Sequence, residues 1–129
     1  GITLPSERVV EKPYTHTGGR EGLRELMAGP ERPTAVICGN DVLAIGAVAE
    51  CQVQGLKVPG DVSITGFDDM EIAAMMTPAL TTVRFPTTDL GVYAANHLLM
   101  RLEGKAVDLR CKLPTELVVR ESAAAPHSG

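Results

Sequence analysis

The sequence predicts an α/β fold, a parallel-sheet sandwich of alternating strands and helices. Three observations carry that expectation. Two apolar runs of strand length, residues 34–38 and 62–67, flank an apolar stretch of helical length. The first of them is continuously apolar rather than alternating, which signals cover on both faces, as in a central parallel strand, and the second is read as another buried strand. Acidic and amide side chains follow each run, Asn40 and Asp41 after the first, Asp68 and Asp69 after the second. Ligands of such sheets gather outside the carboxyl ends of the strands, so these polar groups mark one rim as the functional one.

At 129 residues the chain is one domain at most, and folding at this size hides roughly two-thirds of the surface of the unfolded chain. Apolar residues make up 44% and aromatics 3%, with no Trp, so the core must come from Val, Leu, Ile, Ala and Met. The net charge is −4 and no cluster of Lys or Arg stands out. This chain by itself is therefore not expected to touch DNA. Cys38, Cys51 and Cys111 fit neither a disulfide framework nor a zinc site and are expected as free thiols in a reducing cytoplasm. There is no signal-like segment and no apolar run of about 18 residues, so no membrane contact is expected. Gly1-Ile2-Thr3-Leu4-Pro5-Ser6 lacks a Met and runs into residues 8–11, read as a short strand in need of neighbours. A fragment or processed product is expected.

The elements follow in order. Residues 13–17 read as a loop, and Gly18-Gly19 as a helix start rather than an anion-binding loop. Leu23, Leu26 and Met27 define one face of a helix over 20–29. Gly29 is expected in a left-handed cap, and Pro30 stops the helix. Asn40 or Asp41 can cap the next helix, 42–54, which Gly55 ends. Its polar sector is confined to Glu50, Gln52 and Gln54. One apolar stripe is enough for a helix lying on a sheet; the excess points to a second burial surface, either a subunit interface or other helices of the domain. A Gly/Pro turn over 57–61 leads into the second run, and 71–80 reads as a short helix or irregular segment carrying Ile72, Met75 and Met76, halted by Pro78. Residues 80–85 form a strand, and 90–103 a helix with Ala94, Leu98, Leu102, Ala95 and Leu99 as its stripe. Residues 113–120 are the last strand, and 123–129 a small-residue tail expected to be disordered.

Candidate site residues lie past the strand ends: Asn40, Asp41, Asp68, Asp69, and Tyr14 near the end of the 8–11 segment. Carboxylates, an amide and a flat ring offer acceptors, donors and a stacking face, which suits neutral ligands such as sugars and nucleobases. They suit a phosphate badly. Adjacent residues of an extended segment point in opposite directions, so Asp68 and Asp69 are not expected to converge on one substrate atom. For Asp41 the alternative role is a helix cap, and for Asp68 a loop carboxylate. His16, His97 and His127 are scattered, and no nucleophile elbow, phosphate loop, dinucleotide fingerprint or zinc motif occurs. Neither an enzyme, a metal nor a cofactor is implied.

The segments RPTAVICGNDVLAIGAV, GLKVPGDVSITGFDD, TPALTTVRFPTTDLG and LPTELVVRES together resemble the C-terminal part of the effector-binding domain of LacI/GalR-family bacterial transcription regulators. All four occur in order and at family spacing, over about residues 9–122. The resemblance implies a periplasmic-binding-protein-like fold of two lobes with a small-molecule effector in the cleft, and a homodimer in the cytoplasm. It implies contact with operator DNA only through a helix-turn-helix absent from this chain. About 8–78 and 113–122 would be the C-terminal lobe, and about 80–110 a segment returning to the N-terminal lobe. Asp68 matches the family's effector-binding aspartate, Asn40 a position that often reaches the ligand, and Tyr14 the site of a stacking aromatic. The arginine with which the family clamps its effector falls before Gly1. Ala49, Val53, Met75 and Met76 lie where the family dimerises. A periplasmic sugar-binding protein of a transporter is the alternative on the same fold.

Overall fold

The computed structural model describes residues 3–108, 110 and 112–126. Cys111, His127 and the end of the tail lie outside the described residues. A 3-10 turn at Ser6–Arg8 is followed by α1 (His16–Ala28), β1 (Ala35–Ile37), α2 (Asp41–Val53), β2 (Ser63–Thr65), α3 (Glu71–Met75), β3 (Thr82–Arg84), α4 (Thr87–Leu102) and β4 (Glu116–Val118). From α1 onward the alternation is the expected one. β1 and β2 pair in parallel, with Val36 opposite Ile64, and the sheet continues through parallel bridges Thr65 to Thr81 and Asp68 to Arg84. β3 and β4 instead form an antiparallel ribbon, with Val83 opposite Leu117.

Two glycines decide how α1 and α2 pack. A Cβ on Gly19 would collide with the Leu43 carbonyl oxygen, and one on Gly46 with that of His16. With hydrogen at both positions the two backbones come into contact, and Leu23, Met27, Ala44, Ala47, Val48 and Cys51 close over Val62, Ile64 and Leu80 in one core. Gly19 thus lies inside α1, which begins earlier than its apolar face suggested. Thr15 is its N-cap, its hydroxyl accepting from the Gly18 N–H at 3.0 Å. Gly29 ends α1 in an extended conformation, φ −67° and ψ 163°, rather than the expected left-handed one; the left-handed glycines are Gly55 after α2 and Gly104 after α4.

Other expectations need correction. Residues 8–11 form no strand, because among the described residues no ladder partner lies beside them. A groove of about 400 Å³, lined by Val10, Lys12, Leu26, Val36 and Ile37 among others, separates them from β1. For the same reason β1 is an edge rather than a doubly covered strand, and Ile37 is 87% exposed. The tail does not leave the fold at residue 123: Ala124 donates its N–H to Ser63 Oγ at 3.1 Å. Ser122 is buried, its hydroxyl donating to the Ile64 carbonyl at 2.6 Å and accepting from the Thr81 N–H at 2.8 Å. No residue of α4 is buried.

Glu50, read as part of an exposed polar sector, is 2% exposed. Arg24 reaches it with Nε and Nη2, both at 3.0 Å, Arg20 with Nε at 3.0 Å, and Gln54 at 3.2 Å. The Arg24 bonds, with help from Gln54 and Arg20 and against the opposing effect of burial, hold the Glu50 carboxyl down at about 2. A carboxyl whose folded value lies below its unfolded one stabilises the fold above the unfolded value. That contribution is lost as pH falls from about 4.5 towards about 2. The urea midpoint of Glu50→Gln should accordingly be less sensitive to pH across that window than that of the parent.

Candidate functional site

The rim at the carboxyl ends of β1 and β2 is built from two short loops that hold each other. Asn40 is the N-cap of α2, its Oδ1 accepting from the Leu43 N–H at 2.9 Å. Of the two candidates for the cap, it is Asn40 that makes the bond. Asp41 is wholly buried in the first turn. Its Oδ1 accepts from the Thr82 hydroxyl at 2.6 Å and its Oδ2 from the Met70 N–H at 2.8 Å, while its own N–H donates to the Phe67 carbonyl at 2.8 Å. Gly66 is required beneath it, since a Cβ there would meet the Asp41 carboxylate. The loop after β1 is thereby fastened to the loop after β2.

That second loop is strained. Asp68 has φ 112° and Asp69 φ 52°, both in the region that favours glycine, and non-glycine residues held there cost of the order of 1–3 kcal/mol. Asp68 is half-buried. Its N–H donates to the Val83 carbonyl at 2.9 Å, and its carboxylate has no hydrogen-bond or ion-pair partner among the described residues. Burial first, and then the charge of Asp41, push its carboxyl above the ordinary range. Asp69 is its opposite: burial works to raise it, but bonds from Arg120 at 2.6 Å and Arg84 at 2.8 Å outweigh that and hold it below. The two neighbours therefore differ, Asp68 without a side-chain partner among the described residues and Asp69 saturated. With both φ values positive the segment is not the extended one expected, and the difference comes from the Arg84 and Arg120 bonds.

Tyr14 lies on the other side of the rim. It is 68% exposed, and its ring stands beside Gly39, where an added Cβ would come within 3.2 Å of Cε1. Tyr14 and Asn40 are thus on neighbouring parts of one loop surface, and Asn40 and Asp68 are linked through Asp41. No hydrogen bond joins the three side chains to one another among the described residues. The groove along β1 takes in Tyr14 and Gly39 but neither Asn40 nor Asp68. Its lining is largely apolar and follows an unpaired strand edge, whereas the free acceptor lies at the rim; the rim is therefore the candidate site.

Residues not picked out from sequence complete it. Phe67 and Phe85 form a tilted pair with centroids 6.3 Å apart, next in sequence to Asp68 and Arg84. The chain has only two Phe and two Tyr, and three of these four rings stand at or beside the rim. That scarcity, combined with their placement at strand ends, was the available signal. Thr82 was not singled out either: its hydroxyl donates to Asp41 and accepts from the Asp69 N–H at 3.4 Å. Burial, with nearby negative charge, pushes the Cys38 thiol up to about 12 and that of Cys51 up to about 11, so both are unreactive protonated thiols. Among the described residues there is no cluster able to hold a metal, and no helix is long and apolar enough to cross a membrane.

A second surface lies on α2. Val42, Ile45 and Ala49 are half-buried, and Val53 is 69% exposed. Spacings of three and four residues put all of them on one face. Met75 on α3 is 74% exposed, whereas Met76 turns inward against the core.

Residues 1–123 match the periplasmic binding protein-like domain family. The HTH-type transcriptional repressor PurR of Erwinia tasmaniensis is 37% identical over 129 residues, covering 98% of this chain and 38% of the repressor. A LacI family transcriptional regulator from Mycobacterium smegmatis superposes with a TM-score of 0.87 at 35% identity, over 95% of this chain and 47% of that one. The transcriptional regulator CelR, solved as a complex with cellobiose, gives 0.88 at 31% identity, over 95% and 38%. The chain thus spans less than half the length of the relatives it matches, and they are transcription regulators rather than transport proteins. On the match over residues 1–123 and these shared structures, the chain belongs to the periplasmic binding protein-like domain family, as part of the effector-binding domain of a LacI/GalR-type regulator.

Proposed function

We propose that this chain is the small-molecule-sensing and dimerisation module of a LacI-type transcription regulator, and that its effector is a neutral, hydroxyl- or NH-bearing molecule of the sugar or nucleobase type. The observation that carries the reading is the half-buried Asp68 carboxylate, without a partner among the described residues and held in a strained backbone between two well-satisfied aspartates. A polar group in that position gains most from a ligand donor. The Phe67/Phe85 pair supplies apolar faces beside it and Tyr14 one across the rim at Gly39, and the Asn40 amide, its oxygen used by the cap, keeps N–H donors for a ligand acceptor. The cellobiose complex of CelR is a precedent for a sugar on this fold.

In this reading about 8–78 and 113–122 form one wall of the cleft, and 80–110 crosses towards the other. The exposed residues of α4 face that second lobe. The protein acts in the cytoplasm, catalyses no reaction, and meets operator DNA through a helix-turn-helix outside this chain. Operator and effector then alter each other's affinity by one common factor. A thermal-shift screen of the intact protein against sugars and nucleobases tests the effector class. A rise in melting temperature with at least one of them is expected, and a response only to anionic ligands would contradict it.

The face formed by Val42, Ile45, Ala49, Val53 and Met75 is the proposed homodimer interface, with Met76 supporting it from the core side. A charge at its centre leaves an unpaired carboxylate in an apolar contact. Val53→Asp or Ala49→Asp should move the intact protein from dimer to monomer in sedimentation velocity. An unaltered profile would count against the interface.

A further inference from the structure

Asp69 is the point at which three segments meet. Its side chain is 9% exposed. Oδ2 accepts from Arg84 Nε at 2.8 Å and Oδ1 from Arg120 Nη2 at 2.6 Å. Arg84 closes β3, and Arg120 follows β4. Each guanidinium also ties the two strands together: Arg84 Nη1 donates to Glu116 at 2.9 Å, and Arg120 Nη1 to the Leu80 carbonyl at 2.8 Å. The loop is held a second time through its backbone, where the Asp68 N–H donates to the Val83 carbonyl at 2.9 Å and the Asp69 N–H to Thr82 Oγ1 at 3.4 Å. The chain leaves along β3, forms α4 and returns along β4, so this ribbon connects α4 with the body of the fold.

An isolated surface ion pair contributes about 0–1 kcal/mol and would carry no such role. This one differs in two respects. One mostly buried carboxylate serves two guanidiniums, and those guanidiniums come from two strands that a third group, Glu116, also bridges.

We propose that Asp69 is a positioning residue: it locks the β3–β4 ribbon to the strained loop, so that the direction of the Asp68 carboxylate and the orientation of the ribbon are set together. A molecule that engages Asp68 then acts on the ribbon, and through the ribbon on α4. That consequence rests on the reading of Asp68 as the ligand group; the locking of the ribbon by Asp69 does not.

Hydrogen exchange followed by mass spectrometry, on the intact protein without ligand, tests the lock. In Asp69→Asn the amides of Gly66 and Asp68, together with Thr82–Arg84 and Glu116–Val118, should exchange at least about tenfold faster, while those of α1 and α2 stay within about twofold of the parent. Arg84→Gln combined with Arg120→Gln should accelerate the same amides at least as much, since it also removes the bonds to Glu116 and to the Leu80 carbonyl, and its effect in the Asp69→Asn background should be smaller than in the parent, because the bonds to Asp69 are lost only once. Fully additive effects would mean that the three residues do not act through a shared contact. Unchanged exchange in Asp69→Asn, or acceleration shared equally by α1 and α2, would overturn the proposal. If Asp69→Asn does not fold, Arg84→Gln alone, at a half-exposed residue, should still speed ribbon exchange by about threefold or more, and no change would be equally decisive. Asp68→Asn separates the two readings. It should leave ribbon exchange as in the parent, since its carboxylate has no partner to lose among the described residues, and it should weaken calorimetric binding of cellobiose or guanine. Absence of binding by both compounds bears on the ligand reading alone; faster ribbon exchange in Asp68→Asn would contradict the division of roles between the two aspartates.

Discussion

Replacing Asp41 by Ala should lower the stability of the intact protein by about 4 kcal/mol, read from the urea midpoint. The carboxylate is wholly buried and takes hydrogen bonds from the Thr82 hydroxyl at 2.6 Å and the Met70 N–H at 2.8 Å. Hydrogen bonds to a charged acceptor contribute about 1.5–3 kcal/mol each, and removing the acceptor leaves its donors without partners. The lower end applies to Met70, which is exposed enough for its N–H to find water, and the upper end to the buried Thr82 hydroxyl. Domains of this kind are stable by only about 5–15 kcal/mol, so the loss is a large fraction of the whole. Asp41→Asn keeps one acceptor and should lose roughly half as much. A change below about 0.5 kcal/mol in Asp41→Ala, the scatter ordinary for surface positions, would show that the two loops are held by something else.

Gly46→Ala sets two effects against each other. Alanine in place of glycine within a helix is favourable by about 1 kcal/mol. Against this, the new Cβ runs into the His16 carbonyl oxygen and lies 3.1 Å from the Arg20 nitrogen, both backbone atoms of α1. A side chain could rotate away, but a helix backbone can only be pushed off as a whole, and overpacking of this kind costs typically about 1–3 kcal/mol, sometimes more. The collision wins, and a net loss of about 2 kcal/mol is expected, growing with Gly46→Val. Gly91→Ala is the control. Gly91 lies inside α4 with nothing within 4 Å of an added Cβ, so there the helix preference acts alone and stability should rise by about 0.5–1 kcal/mol. Equal effects at the two glycines would mean that α1 and α2 are not in backbone contact.

The strand–helix alternation was legible in the sequence because each piece carries local signals: apolar runs at 34–38 and 62–67, Gly55 and Gly104 after their helices, Pro78 after α3. What local signals could not give is set by partners far away along the chain. Glu50 reads as a solvated helix residue until Arg20 and Arg24, about one helical turn apart on α1, are known to pack against it. Asp41 and Asn40 are equal candidates for the cap until Thr82, 41 positions on, claims the Asp41 carboxylate. β1 looked like a doubly covered strand because continuous apolarity cannot reveal whether a neighbouring strand lies beside it. Residues 8–11 were misread for the same reason. The aspartate pair reads as two residues of an extended segment, but both have positive φ; which of the two is saturated depends on Arg84 and Arg120, and no spacing rule links these to Asp69.

The proposed effector site rests on Asp68 as the open acceptor of the rim. Its direct test is calorimetry on the intact protein, with the sugar or nucleobase that raises its melting temperature most, comparing the parent with Asp68→Ala. The carboxylate has no bond to lose among the described residues, so the variant should keep the parent's fold. It should bind at least about tenfold more weakly, equivalent to about 1.4 kcal/mol for one lost charged hydrogen bond. An affinity equal to that of the parent would contradict the assignment of this rim as the effector site.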